Sequence, residues 1–270
     1  MQTRSSPAGR RALIALCALF VALFLVLPLA FVLVQAFKAG LSAYFRHIAD
    51  PYAVKALILT LKATLTAVAV NTAFGLCAAW TVTKYAFRGK KLLTTSIDLP
   101  LSVSPVIAGL IYLLTFGRNS PIYPWLTANG IQIAFAVPGV MLATVFTTLP
   151  YVSRELIPVL SAQGADEEQA AALMGAGAWT IFRRVTFPHI RWPLAYGVVL
   201  CAARAMGEFG AVSVLSGRLR GVTNTLPLHI EILYNEFRYE EAFAVSSILV
   251  LLALLMLIAR SLIERKGKGR

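Results

Sequence analysis

The chain has 270 residues, 58% of them hydrophobic and 14% charged, with a mean hydropathy of +0.74. Soluble globular domains carry about 25% charged residues, so this composition excludes an ordinary water-soluble fold. The formal net charge of +13 is not read as nucleic-acid affinity, because the basic residues are distributed as membrane topology requires.

A helix that crosses a bilayer needs about 20 mainly apolar residues. Six stretches qualify, at 12–37, 59–82, 97–116, 131–151, 194–215 and 242–263. Backbone groups in hydrocarbon must be satisfied internally, so the stretches are expected to be helices. A barrel would instead show alternating segments of about ten residues, and none are present. The fold class is therefore all-α and polytopic.

Taken in order, the first stretch follows a basic leader (Arg4, Arg10, Arg11) and contains a small-residue site, Val34-Gln35-Ala36. A cleavable signal has an apolar region of about 7–15 residues, and this one is longer, so an uncleaved helix is expected. The second stretch carries Asn71, an interhelical hydrogen-bond former or a pathway donor. A basic turn, Lys84 to Lys91, leads to the third, where Pro100 and Pro105 flank Ser102 and Ser104. Proline frees backbone carbonyls, so this is either a kinked packing helix or a place where hydroxyls line a cavity. Pro121, Tyr123, Pro124 and Trp125 then suit an interfacial segment.

The cytoplasmic loop after the fourth stretch, about 153–192, has structure of its own. Asp166 followed by Gln169 reads as a capping box. Ala170, Leu173 and Met174 share a helical face, and Gly175 and Gly177 stop the helix. A second amphipathic run holds Trp179, Phe182 and Arg183, and Pro188 is expected to end it. Acidic Asp166, Glu167 and Glu168 disfavour a helix lying on anionic lipid, which leaves a protein partner.

The fifth stretch contains Arg204 and Glu208, four residues apart on one face. Ionisable residues inside a membrane are functional by default or pair with one another, and both readings stand here. Beyond it, Arg218, Arg220, His229 and Glu231 lie in an outer segment that either contacts a partner or is solvated. With both termini inside, 16 of the 25 basic residues fall in inside segments, including the tail 264–270. Segments 1–11 and 264–270 thus flank one membrane domain, 12–263. Cys17, Cys77 and Cys201 all lie in spans without a CxxC pair, and His47, His189 and His229 show no metal-ligand spacing. No GxxxxGK[ST] loop is present, so the chain is not expected to bind ATP or act as an enzyme.

The segment Glu168-Gln169-Ala170-Ala171-Ala172-Leu173-Met174-Gly175-Ala176, with Phe187-Pro188, resembles the EAA loop of ABC importer permeases. Two positions depart from that pattern: Gln169 stands for its Glu, and Phe187 for the Leu before proline. Gln keeps the size and the acceptor but loses the charge. Three further segments narrow the resemblance: Asp98 to Val106, Arg154 to Pro158 and Gly207 to Ser213. With 226–236, they are similar to the W-type permease subunits of sulfate/thiosulfate importers.

The resemblance implies a type I importer permease (MetI-like) fold in the bacterial inner membrane. It implies a coupling helix that docks on an ATPase through Glu167, Glu168, Gln169, Ala170, Ala171, Gly175, Arg183, Arg184 and Pro188. The partners implied are two copies of a CysA-like ABC ATPase, which holds ATP and Mg, a CysT-like second permease, and a periplasmic sulfate/thiosulfate-binding protein. Ser102, Ser104, Arg204 and Glu208 are the expected pathway residues, and Arg218, Arg220, His229 and Glu231 the expected binding-protein contacts. Molybdate or tungstate is the nearest alternative cargo; a secondary transporter or channel is the alternative of another class, weakened by the absence of an obvious internal repeat.

Overall fold

A computed structural model describes residues 7–268. Arg4 of the basic leader and Arg270 of the basic tail lie outside the described residues. The described chain is helical, with no strand: α1 (Pro7–Val21), α2 (Leu27–Phe37), α3 (Leu41–Ile48), α4 (Pro51–Lys84), α5 (Lys90–Ser102), α6 (Pro105–Phe116), α7 (Tyr123–Ala128), α8 (Val137–Thr147), α9 (Pro150–Gln163), α10 (Asp166–Leu173), α11 (Ala178–Ile181), α12 (Phe187–Met206), α13 (Gly210–Leu215), α14 (Leu226–Asn235) and α15 (Tyr239–Lys268). One-turn π-helices join α1 to α2 and α11 to α12.

Three helical runs are individually long and apolar enough to cross a membrane: Gly9–Phe37, Pro51–Lys84 and Tyr239–Lys266. The other three expected spans are broken. Stretch 97–116 is α5 and α6, bent by 108° at Val103 and Ser104. Stretch 131–151 is α8 and the start of α9, and stretch 194–215 is the end of α12 and α13. The expected 40-residue loop is correspondingly shorter, because α9 runs on to Gln163 and α12 begins at Phe187.

Each break has a chemical cause and a repair. Pro150 has no N–H, and Leu149 N donates to Phe146 O at 3.2 Å, so Val145 O loses its helical partner. The buried Asn71 amide donates to Val145 O at 3.0 Å and to Thr148 Oγ1 at 2.8 Å. Asn71 is thus the interhelical bond, not a pathway group. At the other break, the Glu208 carboxylate accepts from Ala211 N at 2.9 Å and starts α13.

Small residues let these segments approach closely. Val152 of α9 sits between two glycines: a Cβ on Gly75 would lie 2.9 Å from its side chain, and one on Gly197 would lie 3.1 Å from its Cα. On the other side of the bundle a Cβ on Gly109 of α6 would fall 2.5 Å from Ala211 O of α13. Lipid supplies little hydrophobic drive between helices, so such contacts carry the packing. The first span packs on α15 through α2, with Phe31 edge-on to Phe243 at 5.9 Å.

The bundle has two ends. At one, α14 returns against the start of α4, where Leu226 N donates to Thr60 Oγ1 at 2.8 Å. At the other, the α9–α12 connection carries α10 and α11 past the end of α4. The chain entering at α1 and the chain leaving at α15 both lie at the α10 end, because each meets the α14 end through its other terminus. Gly109→Val is expected to force α6 from α13 and destabilise the bundle by about 1–3 kcal/mol. A melting curve in detergent reads this, and an unshifted curve would show that the two helices do not pack as described.

Candidate functional site

The first candidate region is the surface formed by α10 and α11. Helix α10 ends in a paired hydrogen-bond motif: Ala176 N donates to Ala171 O at 3.1 Å, and Gly175 N to Ala172 O at 2.9 Å. Gly175 has φ +82, a conformation that suits glycine, and nothing within the chain crowds its missing Cβ. Its local role is therefore to turn the chain. The expected capping box is not formed. Asp166 is the first helical residue, Ala165 occupies the cap position without a side-chain bond, and Gln169 N donates to Ala165 O at 2.9 Å. Three acidic residues in the first turn still complement the helix dipole.

What α10 leaves uncovered is apolar. Leu173 is 90% exposed, Met174 82% and Trp179 71%, with Gln169 and Ala170 exposed beside them. Ala171 is buried, facing the chain itself. Glu168 also turns inward: its Oε2 lies 2.9 Å from Lys84 Nζ, and its Oε1 accepts from Thr186 Oγ1 at 2.7 Å. Glu167 lies 3.6 Å from His189 Nε2. Glu168 is therefore not a free substitute for the charge missing at Gln169, whereas Glu167 stays largely exposed. Arg183 and Arg184 are exposed in the π-helix between α11 and α12. Pro188 does not end the second run as expected. It is the second residue of α12, and the preceding π-helix absorbs its missing N–H within a continuous helical course.

The second candidate region is where two broken spans meet. A Cβ on Gly210, the first residue of α13, would lie 2.8 Å from Pro105 Cβ, the first residue of α6. The 108° bend and the α12–α13 break are thus adjacent. Ser102 and Ser104 are exposed at that bend, and Ser104 precedes α6 without a side-chain cap bond. Arg204 Nη1 lies 2.7 Å from Glu208 Oε2, with the Arg204 side chain 31% exposed and that of Glu208 1%. Glu208 is committed to Ala211 N and to Arg204, so it positions rather than contacts. Arg204 is the half of the pair that reaches open space.

The outer residues divide differently. Arg218 pairs with Glu231 at 3.3 Å, and Arg220 holds Glu236 through two 2.8 Å contacts. The Arg220 hydrogen bonds hold the Glu236 carboxyl below its ordinary range. His229 is 3% exposed, and burial pushes its imidazole pKa down, so it is a neutral packing residue of α14. Its expected role as a surface contact is corrected accordingly. Among the described residues no cluster of His, Cys, Asp and Glu is arranged to hold a metal.

Sequence reasoning missed Lys84 and Thr186, reading the first only as topology charge and the second not at all. A lysine closing a long apolar helix, with an acidic helix start farther along the chain, was the available signal.

Comparison with known proteins matches residues 71–268 to the model of the binding-protein-dependent transport system inner membrane component family. The sulfate transport system permease protein CysW of Escherichia coli K12 is 47% identical over 256 residues, 95% of this chain and 88% of that protein. CysW of Synechocystis is 46% identical over 254 residues, 94% and 92% of the two chains. The related E. coli CysT is 34% identical over 248 residues, covering 92% and 90%. Among solved structures, a bacterial alginate ABC transporter in complex with an alginate-bound periplasmic protein has a chain with TM-score 0.78. That chain is 17% identical, with 96% of this chain and 94% of it covered. This last likeness concerns the fold.

Removing the buried Glu208 acceptor leaves the Ala211 N–H unpaired, which costs about 1–3 kcal/mol. Glu208→Ala is thus expected to lower the yield of monodisperse protein in size-exclusion chromatography sharply. Glu208→Gln, which keeps the acceptor for Ala211 N, is expected to lose less. Equal yields for the two variants would contradict the positioning role of Glu208.

Proposed function

The chain belongs to the binding-protein-dependent transport system inner membrane component family, and from that premise we propose that it is the W-type permease subunit of an importer for sulfate and thiosulfate. The observation that carries the coupling half of this reading is the bare apolar face of α10 and α11, led by Leu173, Met174 and Trp179. Residues this exposed at the end of a loop too polar for hydrocarbon fit a groove on another protein. The cytoplasmic ATPase, present twice and holding ATP and Mg, is the proposed occupant, and α10 is the coupling helix. Gln169 sits on that face as a neutral hydrogen-bonding group. Both termini and the α10 end are accordingly cytoplasmic, which agrees with the excess of basic residues there.

The transport half rests on the identity to sulfate permease subunits over nearly the whole chain and on the meeting of α6, α12 and α13. A divalent oxyanion crosses a membrane protein where donors replace its water without trapping it. Ser102, Ser104 and the open half of Arg204 provide hydroxyl and guanidinium donors at the bend. A second permease subunit of the T type faces this surface, and a periplasmic binding protein delivers the anion at the α14 end. ATP binding closes the ATPase dimer, α10 carries that displacement into α9 and α12, and the bend between α5 and α6 changes the side to which the donors open.

Uptake of sulfur-35 sulfate in a strain lacking this gene and any second sulfate permease tests the reading, with molybdate uptake beside it. Sulfate uptake is expected to vanish, to return with the gene, and to stay absent with Leu173→Ser/Met174→Ser. That variant is expected to leave the ATPase behind on purification. Unchanged sulfate uptake with lost molybdate uptake would overturn the substrate.

A further inference from the structure

Lys84 is the last residue of α4, the continuous helix that spans the bundle from the α14 end to the α10 end. Its ammonium lies 2.9 Å from Glu168 Oε2 and donates to Gly164 O at 2.7 Å. The other carboxylate oxygen of Glu168 is taken by Thr186 Oγ1 at 2.7 Å, from a threonine that is fully buried. The side chains of Lys84 and Glu168 are only 11% and 14% exposed. Above this network Trp80 meets Phe182 edge-on at 5.8 Å, and Phe182 stacks on Trp179 at 5.7 Å. Three segments distant in sequence therefore converge on one carboxylate: the end of α4, the start of α10, and the π-helix that feeds α12.

We propose that Lys84, Glu168 and Thr186 form a strut that makes α10 move as one body with the ends of α4 and α12, Lys84 being a positioning residue for transport. The inference rests on reading α10 as the ATPase-docking helix. Helix α10 packs mainly on α11 and the π-helix, a short and largely exposed arrangement. Left to that packing, a push on Leu173 and Met174 would swing α10 about Gly164 and Gly175, both at positive φ. A charge-assisted bond that is largely shielded from water resists such a swing far better than an exposed pair. It also explains the division of labour among neighbours: Glu168 spends both oxygens inside the chain, and Gln169 faces outward without charge.

The test uses the complete importer in proteoliposomes: this chain, its partner permease, the ATPase and the binding protein. Two quantities are read, the ATPase that co-purifies and the ratio of binding-protein-stimulated to basal ATP hydrolysis. Lys84→Met is expected to retain the ATPase while the ratio falls about tenfold, the scale of a typical coupling free energy. Lys84→Glu combined with Glu168→Lys is expected to restore most of the ratio, which separates a strut from a folding defect. An unchanged ratio in Lys84→Met overturns the proposal. So does loss of the ATPase in that variant, which would make Lys84 part of the docking surface, or a swap no better than either single change. Failure of the unaltered complex to show stimulation counts against the importer reading itself.

Discussion

Breaking a helix inside a membrane exposes backbone groups that lipid cannot satisfy, and the structure depends on how those groups are repaired. Three of the six apolar stretches are interrupted, and each interruption is tied to a particular neighbour. Asn71 takes the Val145 carbonyl left free when Leu149 N shifts to Phe146 O at the Pro150 break. Glu208 takes the Ala211 amide in the first turn of α13 and is neutralised in turn by Arg204. The bend at Val103 and Ser104 is pressed against Gly210 and held by the glycine contact between α6 and α13. Irregular backbone at membrane depth survives where it is covered by protein or borders a cavity, and these breaks are covered by the neighbours named.

The same elements connect these breaks to the exposed apolar face. Helix α9 leaves the Asn71 repair, passes Val152 between its two glycines and ends at Gln163, where Gly164 turns the chain toward α10. Helix α12 starts beside Thr186, carries Arg204 in its last turn and ends at Met206, at the second break. Helix α10 is thus joined to both breaks through helices packed at close distance, the connection that the proposed coupling would use. Dense packing of this kind has few intermediate arrangements, which favours switching between two states over gradual deformation.

Much of this was legible in the residues. Hydropathy located the three continuous apolar helices and the bent pair α5–α6, because it is an additive property of local sequence. The paired Arg204 and Glu208 followed from helical spacing alone. Other features were decided by partners distant in the chain. Nothing adjacent to Asp166 indicates that Ala165 takes the cap position, and nothing adjacent to Pro188 announces the π-helix that lets the chain continue. The inward turn of Glu168 depends on Lys84, more than eighty residues earlier, and the burial of His229 depends on α4 and α15. Long-range pairings of single side chains leave no periodic trace, so outward and inward acidic residues look alike in the sequence.

The most direct test of the account as a whole is ATP hydrolysis by the purified complex in lipid nanodiscs, measured with the binding protein loaded with sulfate, loaded with molybdate, or left out. The account predicts low hydrolysis without the binding protein and a clear rise only with its sulfate-loaded form. Hydrolysis independent of the binding protein and of the anion would contradict it, because the bare face of α10 would then not be linked to the breaks in the bundle.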